Sequence, residues 1–258
     1  MKRKYQETKE RVKLSDKTPL KEIFRLVSIR HFKEAMELIP SSVRHLPLRL
    51  RDLTSKLIYD EYPLLHFAVR EGGYSLVKYL LDGRADIERK GGKCCEPPLT
   101  TAARNGEEQC CELLLDRGAN IDARNVRQAT PLMSALGHDG ICKLLISRQA
   151  NINARDEDGW TCLHYAIHGG SIRQVKLLLS ANARIDIKDK RGQTPLDIAK
   201  EYGDHASTVP LIEDHMVSEN LSGVISRGLD DGFEFSNFLV KGICDCRLFL
   251  IVAKFAYN

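Results

Sequence analysis

Apolar positions through the middle of the chain fall at helical spacing, not strand spacing. In residues 161–179, Leu163, Ala166 and Ile167 sit at i, i+3 and i+4, which is one face of a helix. Gly169-Gly170 interrupts that helix, and Val175, Leu178 and Leu179 repeat the spacing on a second one. The predicted unit is therefore helix, turn, helix and then an exposed loop. Thr130-Pro131 and Thr194-Pro195 mark helix starts, since Thr caps free amides and Pro tolerates the first helical position.

The unit recurs along the chain. Ala68, Ala102, Ala135, Ala166 and Ala199 each close a Leu-x-x-Ala tetrad, at spacings of 34, 33, 31 and 33 residues. Ala85, Ala119, Ala150 and Ala183 form a second register at spacings of 34, 31 and 33. Both registers share the short step, so they mark one repeat. A small residue at this position lets paired helices approach closely. A stack of helical hairpins is expected.

These residues resemble the ankyrin repeat family, whose unit reads Thr-Pro-Leu-His-x-Ala near a 33-residue period. Thr161-Cys162-Leu163-His164-Tyr165-Ala166 and Thr194-Pro195-Leu196-Asp197-Ile198-Ala199 carry the resemblance, and Leu114-Leu115-Asp116-Arg117-Gly118-Ala119 matches the trailing motif. It covers residues 58–216 in five units. The departures are local. Unit one has Pro63-Leu64 in place of Thr-Pro and Gly83 one residue early, and unit two has Pro97-Pro98. Unit three is two residues short around Gly137-His138-Asp139-Gly140, which predicts a truncated first helix or turn. The implied fold class is all-α, an ankyrin-repeat solenoid of helix-turn-helix units with hairpin-like loops.

Residues 18–57 read as a degenerate N-terminal capping repeat. His31 to Ile39 fits the outer-helix pattern, and Arg30 stands where later units carry glycine. Residues 217–258 do not fit the pattern: Gly223, Gly228 and Gly232 break any helix, and Phe249 to Tyr257 is apolar and β-prone. No role is assigned to this tail.

Composition narrows the functional classes. The 258 residues carry 39 Lys+Arg and 35 Asp+Glu, a net charge of +4. Residues 1–17 hold seven Lys/Arg against three Asp/Glu, so the rest of the chain is neutral and the basic terminus is expected to be disordered. A neutral body lacks the broad basic face of a non-specific nucleic-acid binder. No apolar run approaches a membrane span, and the basic start is not followed by the apolar segment of a secretory signal. A cytoplasmic or nuclear location is expected, where the eight cysteines stay reduced.

The candidate chemistry is weak. His164 and His168 lie i, i+4, but no acid stands between them as a zinc-protease motif requires. The resemblance makes His164 a hydrogen-bonding buttress between repeats and puts His168 on the exposed end of the inner helix. Cys110, Cys111 and Cys142 fall on apolar outer-helix faces and read as buried small hydrophobes, while Cys94 and Cys95 sit in a loop open to reaction. Cys244-Asp245-Cys246 is too isolated to be assigned a role, and Gly91-Gly92-Lys93 lacks the phosphate-loop frame. Neither a metal, a cofactor nor catalysis is expected.

The resemblance implies protein binding through the loop tips and the exposed end of each first helix. By register the third tip is Arg124 to Ala129, the fourth Arg155 to Trp160 and the fifth Lys188 to Gln193, with formal charges of +2, −2 and +2. The alternating signs read either as neighbouring loops screening one another or as a face for a partner of mixed charge. Candidate partner-binding residues are Arg127, Glu157, Asp158, Trp160, Lys190 and Arg191 on the tips, with Arg104, Asn105, His168 and Tyr202 on the inner helices. Trp160, the sole tryptophan, stands where other units have Tyr62, Glu96, Ala129 and Gln193, a column expected to face the groove. Asn153, preceded by Ile152 and by Leu145 eight residues earlier, resembles an asparagine-hydroxylation target; the alternative is that it only orders its loop. The expected function is a non-enzymatic adaptor or scaffold, acting as a monomer on a protein partner of unknown identity. An alternative rests on residues 19–60, where Pro19 to Arg25 and Leu46 to Leu50 resemble the box that recruits elongins and a cullin in ubiquitin ligase receptors.

Overall fold

The computed structural model describes residues 62–201 and 208–218, together with 26, 30–31, 33–35 and 58–59. The basic terminus, most of 18–57 including the box-like segment, Tyr202, Cys244 and Cys246, and the tail beyond 218 lie outside the described residues. The chain forms two compact units that divide after Cys162.

In the first unit, β1 (Ile58–Tyr59) pairs antiparallel with β2 (Tyr62–Pro63). Three helical hairpins follow: α1 (Leu64–Arg70) with α2 (Tyr74–Asp82), α3 (Pro98–Asn105) with α4 (Glu108–Asp116), and α5 (Pro131–Ser134) with α6 (Asp139–Ser147). The second unit holds α7 (Cys162–His168, its first residue at the division), α8 (Ile172–Ser180), α9 (Pro195–Glu201) and a helical run over 209–218. The all-α class holds: among the described residues the strands are β1 and β2, of two residues each.

The sequence registers are the packing registers. Ala68, Ala102, Ala135, Ala166 and Ala199 are at most 1% exposed, and so are Leu80, Leu114, Leu145 and Leu178 on the second helices. Burying one such leucine contributes about 1.5–3 kcal/mol. Each second helix then closes in the same way. The amides of Ala85, Ala119, Ala150 and Ala183 donate to the carbonyls of Leu80, Leu114, Leu145 and Leu178 at 2.9–3.0 Å. This closure needs a left-handed residue just before the alanine. Gly118 supplies it in one repeat, whereas Arg84, Gln149 and Asn182 adopt it at φ of 62°, 65° and 60°. Gly83 is therefore early because Arg84, not the glycine, takes the strained position.

The departures from the repeat have local causes. Thr130 caps α5 by accepting from the Met133 amide at 3.4 Å, with Pro131 at the first helical position. At α9 the Asp197 carboxylate accepts from the Thr194 amide at 2.8 Å and its hydroxyl at 2.6 Å. Those two bonds hold the Asp197 carboxyl below the usual carboxylate range. Pro63 and Pro97 stand in the cap position with extended backbone and no side-chain cap. The two-residue deficit of unit three falls on α5, which is four residues long, while α6 keeps nine.

In the leading segment the His31 amide donates to the Leu26 carbonyl at 2.7 Å, and Arg30 sits at φ 58°. The bonds from Gly73 to Ala68, Glu107 to Ala102 and Ser171 to Ala166 have the same form, beside Gly72, Gly106 and Gly170 at positive φ.

The cysteines divide by burial. Cys110, Cys111, Cys142 and Cys162 are at most 1% exposed, whereas Cys95 is exposed and Cys94 half-buried. Burial pushes the Cys110 and Cys111 thiols up to about 12 and Cys142 to about 11, as befits packed hydrophobes. Among the described residues no group of His, Cys, Asp and Glu is arranged to hold a metal ion, and no helix is long and apolar enough to cross a membrane.

Candidate protein-binding face

Each full tip is built around one short polar side chain turned inward. Asn125 Oδ1 accepts from the amides of Arg127 at 2.9 Å and Ala129 at 3.0 Å. Asp156 Oδ1 does the same for Asp158 at 2.9 Å and Trp160 at 2.8 Å, and Asp189 Oδ1 for Arg191 at 2.8 Å and Gln193 at 2.9 Å. All three side chains are buried, and each tip is closed again by a backbone bond from that same residue's amide to the carbonyl of the tip's last residue. The turn demands a positive φ one residue before its end, met by Gln128, Gly159 and Gly192. Sequence reasoning missed these three residues. The available signal was a recurring Asn or Asp one position before the exposed loop apex.

The second tip is built differently. Gly91 replaces the polar residue, and the loop closes through paired backbone bonds between Gly91 and Glu96 at 2.9 Å each. Glu96 is only 3% exposed and takes a bidentate bond from Arg104, with Nη1 to Oε1 at 2.6 Å. Burial raises the Glu96 carboxyl above its ordinary value, against the opposing pulls of Arg104 and Asn125. The Trp160 column therefore does not face outward throughout. Glu96 turns in because its charge finds Arg104, while Ala129, Trp160 and Gln193 are half-buried.

Histidines tie helices to tips. His66 Nε2 lies 2.8 Å from the Glu96 carbonyl, and His164 Nε2 lies 3.4 Å from the Gln193 carbonyl in the second unit. Both histidines are fully buried, and burial brings His66 down to about 4. In the first unit backbone bonds also join successive tips, from the Val126 amide to the Cys94 carbonyl at 3.1 Å and from the Glu157 amide to the Arg127 carbonyl at 2.8 Å.

The structure brings Arg127, Glu157, Asp158 and Trp160 together on adjacent tips of the first unit. Arg127, Glu157 and Asp158 are exposed. The Arg127–Glu157 pair is loose at 3.8 Å, with side chains 74% and 46% exposed, and such pairs contribute about 0–1 kcal/mol. Arg104 is exposed, with its guanidinium paired to Glu96. Asn105 is exposed, with its amide donating to the Thr101 carbonyl at 2.7 Å. In the second unit His168, Lys190 and Arg191 are exposed. Asn153 is half-buried, and its backbone amide donates to Asn151 Oδ1 at 3.1 Å in the loop that follows α6.

Comparison with known proteins bears on the same stretch. The chain is 32% identical to the ankyrin repeat protein FPV031 of fowlpox virus (strain NVSL) over 198 residues, 73% of this chain and 58% of that one. It is 37% identical over 73 residues to human ankyrin repeat and SOCS box protein 18, covering 28% of this chain and 16% of that protein. Against the Caenorhabditis elegans homolog of transient receptor potential cation channel subfamily A member 1 it is 33% identical over 147 residues, 57% of this chain and 12% of the channel. The chain thus spans less than two thirds of each of these relatives. A family model of ankyrin repeats matches in three copies over residues 65–156 and 137–219, where the alanine registers, buttressing histidines and stapled tips recur. The chain therefore belongs to the ankyrin repeat family, whose repeats are in general non-enzymatic protein–protein interaction modules.

Proposed function

We propose that this chain is a non-enzymatic adaptor or scaffold that binds a protein partner through the tips of its first unit. The observation that carries this reading is the inward polar staple of each full tip. Asn125 and Asp156 hold the backbone from inside, so Val126, Arg127, Glu157 and Asp158 project from a fixed frame. A fixed frame lowers the ordering cost of association. Trp160 sits half-buried at the end of that frame, and tryptophan is enriched among interface residues whose truncation costs about 2 kcal/mol or more. Such an adaptor works in the cytoplasm or nucleus as a monomer.

A second reading is a substrate-recognition subunit of a cullin-type ubiquitin ligase. It is supported by the similarity to a protein named for its SOCS box and by the box-like residues of 19–60. Affinity capture with the full chain and with a chain lacking residues 1–57 separates the two. An adaptor is expected to recover the same partner with both forms. Elongin and cullin recovered only by the full chain would establish the ligase reading instead.

A further inference from the structure

The exposed charges on the three successive tips of the first unit are graded in sign. At the second tip Lys90 and Lys93 are exposed, and among the described residues neither has a carboxylate within ion-pair reach. The tip's own acid, Glu96, is buried against Arg104, and Glu88 is turned to the Asn120 amide at 2.7 Å. The third tip presents Arg127 together with Val126, a large apolar side chain 51% exposed. Its other cation, Arg124, donates Nη1 to the carbonyls of Gln128 and Arg155 at 2.7 Å each. The fourth tip presents Glu157 and Asp158, while Arg155 Nε turns back to the Gly159 carbonyl at 3.4 Å. The Arg127–Glu157 pair between the third and fourth tips is loose, and the two basic tips adjoin each other.

The spacing of this row is fixed by the Val126-to-Cys94 and Glu157-to-Arg127 backbone bonds. Each tip is a turn closed on itself by backbone bonds and joined to its neighbour by another, so tips repeat at roughly two hydrogen-bonded chain spacings, about 10 Å. Three tips then span about 20 Å, the length of roughly six extended residues.

We infer that this row binds an extended protein segment with acidic residues at one end, an apolar centre and Lys or Arg at the other. The acidic end lies over Lys90 and Lys93, the apolar centre over Val126, and the basic end over Glu157, Asp158 and the Trp160 ring. A cation over the ring adds attraction to that of the carboxylates. This rests on the protein-binding reading above and specifies the chemistry of its partner.

The test uses the full chain and a fluorescein-labelled octapeptide of acidic, apolar and basic blocks, followed by anisotropy. Emission from Trp160, the chain's only tryptophan, reports contact at the fourth tip. The block peptide is expected to bind, to weaken with salt and to shift the Trp160 emission. A peptide of the same composition with scrambled charges is expected to bind about tenfold more weakly. Lys90→Glu with Lys93→Glu is expected to weaken the block peptide about tenfold, and replacing the peptide's acidic block by lysines to restore binding to that variant. No binding at low salt, equal binding of the scrambled peptide, or indifference to the lysine substitutions overturns the inference. A partner whose binding needs Trp160 but not Lys90 or Lys93 also overturns it, while leaving the protein-binding reading intact.

Discussion

Acidification from pH 7 to about pH 4 is expected to remove about 3 kcal/mol of stability through His66 alone. The ring is fully buried, and burial is the largest cause of its depressed value of about 4; the Arg89 charge adds to it, and the bond to the Glu96 carbonyl opposes it. In the unfolded chain the imidazole takes up its proton near its ordinary 6.5. Between 6.5 and about 4 the unfolded state therefore binds more protons, so stability is full above that window and declines as pH falls through it. Glu96 acts in the opposite sense, because its raised value lets the folded state take up a proton first. Comparing the protein with His66→Gln cancels that contribution. The variant is expected to be less stable at pH 7 by about 1–2 kcal/mol and to lose much less on acidification. Denaturant midpoints at pH 7, 5.5 and 4.5 measure both effects, and equal acid slopes for the two proteins would rule out this role for His66.

Asp156→Ala is expected to cost about 2 kcal/mol and to loosen the fourth tip. The substitution removes the oxygen that accepts from the Asp158 and Trp160 amides, and the Trp160 amide lies where water reaches only part of the residue. Asp156→Asn is the informative control, because Asn125 performs the same double acceptance one tip earlier. The asparagine variant is expected to stay within about 0.5 kcal/mol of the parent. A thermal melt and the Trp160 emission maximum report stability and tip order together. Equal loss in the alanine and asparagine variants would mean that the carboxylate charge, not the staple, is what matters.

The repeats were legible because helix packing leaves a hydrophobic signature at fixed spacing. Ala68 and Leu80 recur where a small contact and a buried anchor are needed, and the shortened α5 shows as two missing residues. The turn at Arg30 was legible by register, and its φ of 58° matches the glycine position it occupies. The tips were not. Asn125, Asp156 and Asp189 are polar residues in polar loops, and burial of one oxygen leaves no trace in hydrophobic periodicity. Glu96 looked like another outward tip residue because its fate depends on Arg104, eight residues later, reaching back across the hairpin. The β1–β2 pairing escaped notice for a related reason: two residues per strand are too few to show alternation.

Trp160 decides the central claim that the tips of the first unit form a protein-binding face. The measurement is a paired one on the full chain and on Trp160→Ala: titration against the captured partner, and a thermal melt of each protein. Binding is expected to weaken by at least about tenfold, while the half-buried ring costs no more than roughly 1 kcal/mol of stability. A collapsed melt would place the ring in the core, and unchanged affinity with an unchanged melt would put the partner's site elsewhere.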